Sequence, residues 1–188
     1  MITIAVAGLI IAGIAVVSIM WGISSYNRLV TLKSFSQEGW SGIDVQLKRR
    51  YDLIPNLVGV VEGYKIHERE VLENVTKMRA ASMGATTIDA KAHAEAGLTG
   101  ALKTLFAVAE NYPNLKANES FLALQQQLSS LESEIQLARR YYNGAARNYN
   151  VAVHSFPSNV IASMFGFAAI SYFELNSAQE REVPRVKF

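Results

Sequence analysis

Residues 1–27 contain no charged side chain, and every charged residue of the chain follows them. Crossing the ~30 Å apolar layer of a bilayer takes about 20 helical residues, since each adds ~1.5 Å of rise. Residues 2–23 form an apolar run of that length, and Trp21 and Tyr26 stand at its end. Amphipathic aromatic rings favour that level because one side of the ring is apolar and the other wet. The sequence therefore predicts one transmembrane helix followed by one domain. A cleaved secretory signal fits less well, because nothing basic precedes the run and its length exceeds the usual apolar core of such signals.

About 160 residues remain after this segment, enough for one domain with its own core. A net charge of +2 is too small and too dispersed to indicate nucleic-acid binding. There is no cysteine, which removes disulfides and thiolate chemistry. Arg28 and Lys33 are the basic residues nearest the span, and both follow it. By the positive-inside rule they place the C-terminal domain in the cytoplasm. Within the span, Gly8, Ala12 and Ala15 offer small residues at helical spacing. Such a face lets two membrane helices approach closely, although Ala and Gly also occur in membrane helices that pack against nothing.

Beyond the span the apolar positions step by three and four. Trp40, Ile43, Leu47, Ile54, Leu57, Val61, Tyr64, Val71, Val75 and Met78 share one seam with two charged members, Arg50 and Glu68. The pattern predicts a single helix from the span to about residue 83, kinked near Pro55, which lacks a backbone donor. A small-residue break at 82–87 precedes a second helix over about 89–112, and the Asn- and Pro-containing stretch 111–118 predicts a turn. A third helix starts after Asn118, a good N-cap. Its seam runs Leu124, Leu128, Leu131, Ile135, Ala138, Tyr142, Ala145, Tyr149 and Ala152, tapering so that a neighbour can come close beside the alanines. The fold class that follows is all-α: an N-terminal transmembrane helix continuing into an elongated antiparallel helical bundle. Three long helices, a short C-terminal helix and an extended tail make it up.

Pro157 ends the third helix. Residues 155–173 carry no charge but hold Phe156, Phe165, Phe167, Tyr172 and Phe173. A short amphipathic helix over 159–165 followed by extended chain is expected. Left in water such a segment would aggregate, so it must cover the bundle, meet a neighbouring subunit or touch the membrane. The expected division is 1–25 anchor, 26–155 bundle and 156–188 apolar segment with a polar, extended tail.

Candidates for chemistry are sparse. His67-Glu68-Arg69-Glu70 resembles a zinc-protease helix, but Val71 stands where the second histidine belongs. There is no glycine-rich phosphate loop and no nucleophile elbow. Lys48-Arg49-Arg50 is a basic triplet that either meets a phosphate or headgroup or pairs with glutamates on a facing helix. Glu132 and Glu134 are available for the second role, the favoured one because a charge inside a seam must be paired. No catalytic residue, metal site or cofactor is expected.

Three stretches make the chain specific. Residues 43–58, with Lys48-Arg49-Arg50-Tyr51-Asp52 before Pro55-Asn56, are similar to the signature of the bacterial LemA family. So are residues 112–118, and so are residues 138–150, with Phe156-Pro157-Ser158-Asn159 after them. The resemblance spans essentially the whole chain. It implies a bacterial inner-membrane protein with one N-terminal membrane helix and an elongated helical domain, and it does not imply an enzyme. It also implies kinship with proteins linked to envelope processes and, in magnetotactic bacteria, to magnetosome formation. On the motif residues we expect a buried polar layer of Arg49, Arg50, Asp52, Asn56, Arg139, Arg140 and Asn143, with Asn56 serving the carbonyl that Pro55 leaves free near Tyr51.

The expected function is a membrane-anchored scaffold of the envelope that self-associates, its partners being the lipid bilayer and further copies of itself. An accessory or adaptor subunit that holds another envelope protein is the alternative. No nucleic-acid partner is expected.

Overall fold

The computed structural model describes residues 2–64 and 68–174, with side chains at Val6 and from position 8 onward. His67 and the tail expected over 181–188 lie outside the described residues. Six helices and no strand are present among those described: α1 Ile2–Gly63, α2 Arg69–Gly84, α3 Ile88–Ala109, α4 Pro113–Lys116, α5 Glu119–His154 and α6 Ser158–Met164. The all-α expectation holds, and α1 runs from the apolar segment into the domain without a break.

The single long first helix does not hold. α1 ends at Gly63, and α2 begins at Arg69. The local reason is Gly59 and Gly63, four apart, where the chain loses side-chain packing and helix propensity. After the break the buried face shifts by one residue: Leu72 and Val75 are buried while Val71 is only half-buried. The expected turn at 111–118 contains one helical turn of its own, α4, with Pro113 at its start and Leu115 buried beneath it. Asn118 caps α5 as expected, its Oδ1 accepting from Phe121 N at 2.9 Å. Thr87 does the same for α3, accepting from Ala90 N at 3.2 Å.

The chain forms two compact units, each built from separated stretches. One combines the described residues of Trp40–Arg140 with 171–174. Here four helical segments alternate in direction. Arg79 on α2 reaches Tyr51 on α1, Lys91 and Glu95 on α3 reach Asp44 and Arg50, and Glu134 on α5 reaches Arg49. This is an up-down-up-down four-helix bundle rather than the expected three long helices, because the break after Gly63 supplies an extra strut. Its core holds Ile43, Leu47, Ile54, Leu57, Leu98, Leu102, Leu105, Leu128, Leu131 and Ile135.

The other unit combines the described residues of Met1–Gly39 with Tyr141–Ile170. Its core gathers Leu29 of α1, Tyr149, Ala152 and Val153 of α5, and Ala162 of α6, flanked by Leu32, Ile161, Phe167 and Ile170. The buried face of α5 drifts here, so that Ala146 is buried where the seven-residue pattern points to Ala145. A straight helix of 3.6 residues per turn slips by about 20° per heptad, which accounts for the drift. Gly166, at φ 70°, turns the chain out of α6 in a conformation that side-chain-bearing residues avoid. Asn150 then pins the following segment, giving and receiving 2.9 Å bonds with the backbone of Ile170.

Candidate functional site

Among its described residues, the four-helix unit encloses a charged cluster. Arg50 and Glu95 are 4 % and 2 % exposed. Arg50 Nη1 lies 3.3 Å from Glu95 Oε2 and 3.1 Å from Glu132 Oε2, and its Nη2 donates to Thr99 Oγ1 at 2.9 Å. The Tyr51 hydroxyl donates to the other Glu95 oxygen, Oε1. Three helices thus deliver one guanidinium, two carboxylates and a phenol to a single layer. Arg50 occupies a seam position, and the seam carries it inward. Glu95 sits between Ala92 and Leu98 on the buried stripe of α3, so it goes inward as well.

Burial is the main influence on the carboxylate. It pushes the Glu95 carboxyl above its ordinary range, with the nearby Glu132 charge adding to the rise, while Tyr51, Arg50 and the buried Ser82 oppose it. Burial also raises the Tyr51 phenol, as do the hydrogen bond to Glu95 and its charge, so Tyr51 remains a donor. The sign of the linkage follows. An acid whose folded pKa exceeds its unfolded value binds more protons when folded, so stability falls as pH rises through that window. Relative to a Glu95→Gln variant, the wild-type protein is expected to lose stability as pH rises from about 4.5, the ordinary value of this carboxyl. Denaturant midpoints of both proteins across pH 4.5–8 measure it; parallel curves would show that Glu95 does not titrate differently on folding.

A second feature of the layer is the carbonyl of Tyr51. In a continuous helix it would accept from residue 55, but Pro55 has no N–H. Arg79 Nε, from α2, donates to it at 2.7 Å. The freed carbonyl was expected to find its donor in Asn56. Asn56 is exposed, and Arg79 does the work from the neighbouring helix.

The expected seven-residue polar layer therefore contracts to Arg50, and the structure adds Glu95, Glu132, Thr99, Tyr51 and Arg79. Arg49 is a surface residue, 3.1 Å from Glu134, in a pair of the kind that contributes at most about 1 kcal/mol. Asp52, Asn56 and Arg140 are exposed, since each is rotated off the seam that buries Arg50 and Tyr142. Arg139 is half-buried, its guanidinium 5.6 Å from the centre of the Phe173 ring. Asn143 is half-buried and belongs to the other unit. A carboxylate on the apolar stripe of the second helix was the sequence signal for Glu95. For Arg79 there was none, because its role depends on which helix α2 packs against.

A groove of about 340 Å³ opens beside Arg50, with Thr99, Lys103, Gln125, Glu132 and Ser133 among its walls. The charges at its floor are directed at one another. Among the described residues, no group of three His, Asp or Glu side chains is placed to hold a metal ion.

The uncharged C-terminal segment divides. In the four-helix unit Phe173 is wholly buried, its ring centre 5.8 Å from that of Trp40, while Tyr172 is exposed. In the other unit Phe167 is half-buried and meets the Tyr26 ring edge-on at 5.6 Å, with Lys33 Nζ 5.9 Å from its centroid. Phe165 also packs edge-on against Tyr26, at 4.9 Å, yet stays 59 % exposed, and Phe156 is 84 % exposed. Gly8, Ala12 and Ala15 are exposed on α1, and none of the described residues comes within 4 Å of a Cβ placed at Gly8. Among the described residues one helix is long and apolar enough to cross a membrane, and its apolar window buries none of its residues against the rest of the chain.

Comparison with known proteins places these features in a family context. Residues 39–188 match the LemA family. A magnetosome protein MamQ of Paramagnetospirillum magneticum is 25 % identical over 184 residues, covering 84 % of this chain and 68 % of the relative. The magnetosome protein MamQ of Magnetospirillum gryphiswaldense is 24 % identical, with the same coverage of 84 % and 68 %. Protein LemA of Metamycoplasma hominis is 26 % identical over 162 residues, covering 84 % of this chain and 72 % of the relative.

Proposed function

The chain belongs to the LemA family, and on that footing we infer that it is a membrane-anchored, non-catalytic scaffold of the bacterial envelope. It crosses the inner membrane once, carries its helical domain on the cytoplasmic side, and associates with further copies of itself. One observation carries this reading. Among the described residues, the apolar window of α1 buries no side chain against the rest of the chain, and the run that contains it carries no charge. A lone apolar helix of that length is stable only in lipid or against other helices. The cytoplasmic side follows from Arg28 and Lys33 after the span.

Self-association is supported by the small-residue face at Gly8, Ala12 and Ala15. Within lipid, helix association depends on close backbone approach, which small residues permit. Anchors held parallel in one bilayer also raise the effective concentration of the domains, so weak contacts between them suffice. Because no described residue lies within 4 Å of a Cβ at Gly8 and Ala12 is exposed, a Gly8→Leu, Ala12→Leu double variant is expected to leave the protomer fold intact and to block an intermolecular contact. Light scattering on the detergent-solubilised full-length protein, with detergent subtracted, is expected to show a discrete multiple of 20.7 kDa for the wild type. The variant is expected to shift toward the single-chain mass. A wild-type monomer would overturn self-association and leave the adaptor reading. An unshifted oligomer would move the contact off this face.

A further inference from the structure

We propose that α6 and the residues on either side of it form a second membrane contact, a foot that lies in the headgroup layer of the bilayer that α1 spans. The inference rests on the reading of residues 2–23 as an anchor. Its basis is where the unit holding α1 places the uncharged segment. A Cβ at Gly22 would lie 3.8 Å from Ile161 Cδ1, so α6 sits against α1 where the apolar run ends. Four residues further on, Tyr26 receives the edges of Phe165 and Phe167. Four helical residues rise about 6 Å. The polar layer on each side of a bilayer is about 5–7 Å deep. The part of the segment held between Gly22 and Tyr26, with Ile161 and Phe165, therefore lies within that layer once α1 crosses the membrane.

The chemistry of the segment suits that place. Ile161 and Ala162 face inward against Leu29 and Tyr149, whereas Val160 and Met164, one turn apart, are exposed. Phe156 before the helix and Phe165 after it are exposed too. These four side chains form an uncharged apolar surface whose presence in water is unfavourable and whose burial to the depth of the headgroup–acyl boundary is favourable. The charges of the same unit complement an anionic leaflet: Arg28, Lys33 and Arg147 stand against Glu38 alone. Lys33 reaches over the Phe167 ring, at 5.9 Å, from the side away from the span. An anchor with such a foot is fixed in tilt and rotation as well as in depth, because a lone helix is free to spin and a two-point contact is not.

The chain has no cysteine, so single thiols report cleanly. Nitroxide labels are placed on the full-length protein at Phe156→Cys and Met164→Cys, both exposed positions, and at Val16→Cys in the span. The protein is reconstituted in vesicles of phosphatidylcholine and phosphatidylglycerol. Collision with oxygen and with a water-soluble nickel chelate then reads depth. The expected result is a deep label at 16, and labels at 156 and 164 whose exposure to nickel falls several-fold below that of free label in buffer while oxygen exposure rises. A deep label at 16 with full nickel exposure at 156 and 164 would overturn the foot and leave the anchor standing. Labels at 156 and 164 shielded from both agents would overturn it in favour of a contact with another copy. Nickel exposure at 16 would overturn the anchor and the foot together.

Discussion

Replacing Arg50 with Met is expected to destabilise the protein by about 3–5 kcal/mol, the cost typical of removing one partner from a buried ion pair. Met has nearly the reach of the arginine stem, so packing is largely kept and the charge is what disappears. Glu95, 2 % exposed, then keeps Tyr51 as its donor but faces Glu132 with no cation between them. The deficit should shrink as pH falls, since a protonated Glu95 needs no countercharge and burial already raises its pKa. Adding Glu95→Gln to Arg50→Met is expected to return a substantial part of the loss, because a neutral amide can still accept from Tyr51. Urea unfolding of the two variants and the wild type at two pH values decides the matter. An Arg50→Met protein as stable as wild type would show that the cluster is an incidental feature of the core and not one of its supports.

Gly39 is the second position where a small change should have a large effect. It is buried at the crossing of α1 and α5. A Cβ there would stand 3.0 Å from the backbone Cα of Tyr142 and 3.1 Å from the Tyr141 ring. The ring can swing aside, being exposed, but the Tyr142 backbone is held in a helix whose side chain is 1 % exposed. Gly39→Val, which adds two methyl groups beyond that Cβ, is expected to cost about 1–3 kcal/mol by forcing the helices apart. The natural control is Gly42, also on α1, where no described residue lies within 4 Å of a Cβ. Gly42→Ala should gain up to about 1 kcal/mol from helix propensity alone. Thermal unfolding of both variants tests the pair of expectations, and a Gly39→Val protein with an unchanged midpoint would remove the close approach from the account.

The chemistry of the buried cluster explains why only part of it was legible. Arg50 could be read as inward-facing because it falls on a four-three seam between Leu47 and Ile54. Its acceptors are another matter. Glu132 was one of two glutamates available on the facing helix, whereas Glu95 and Thr99 approach from a helix whose rotation depends on the hairpin it makes with α2. Arg79 shows the same limit. The need for a donor at the Tyr51 carbonyl follows from Pro55, since a missing N–H is a local fact. Which residue meets that need is decided by a neighbour 24 positions past the proline in sequence and adjacent only after α2 has folded back.

What the sequence alone determined is everything set by local periodicity and by charge. That covers the uncharged, apolar start of α1, the all-helical class, the cap at Asn118, the end of α5 before Pro157 and the short helix after it. Each depends on residues within a few turns of one another, whose propensities and spacing suffice. What only the tertiary structure decided is which faces meet. The break after Gly63 turned one expected helix into two and a three-helix pattern into four helices. The inward turn of Glu95, the service of Arg79 and the separation of Phe173 from Phe165 all followed from packing. Those outcomes compare the free energies of alternative contacts between distant segments, and a difference of a few kcal/mol between them leaves no local mark on the chain.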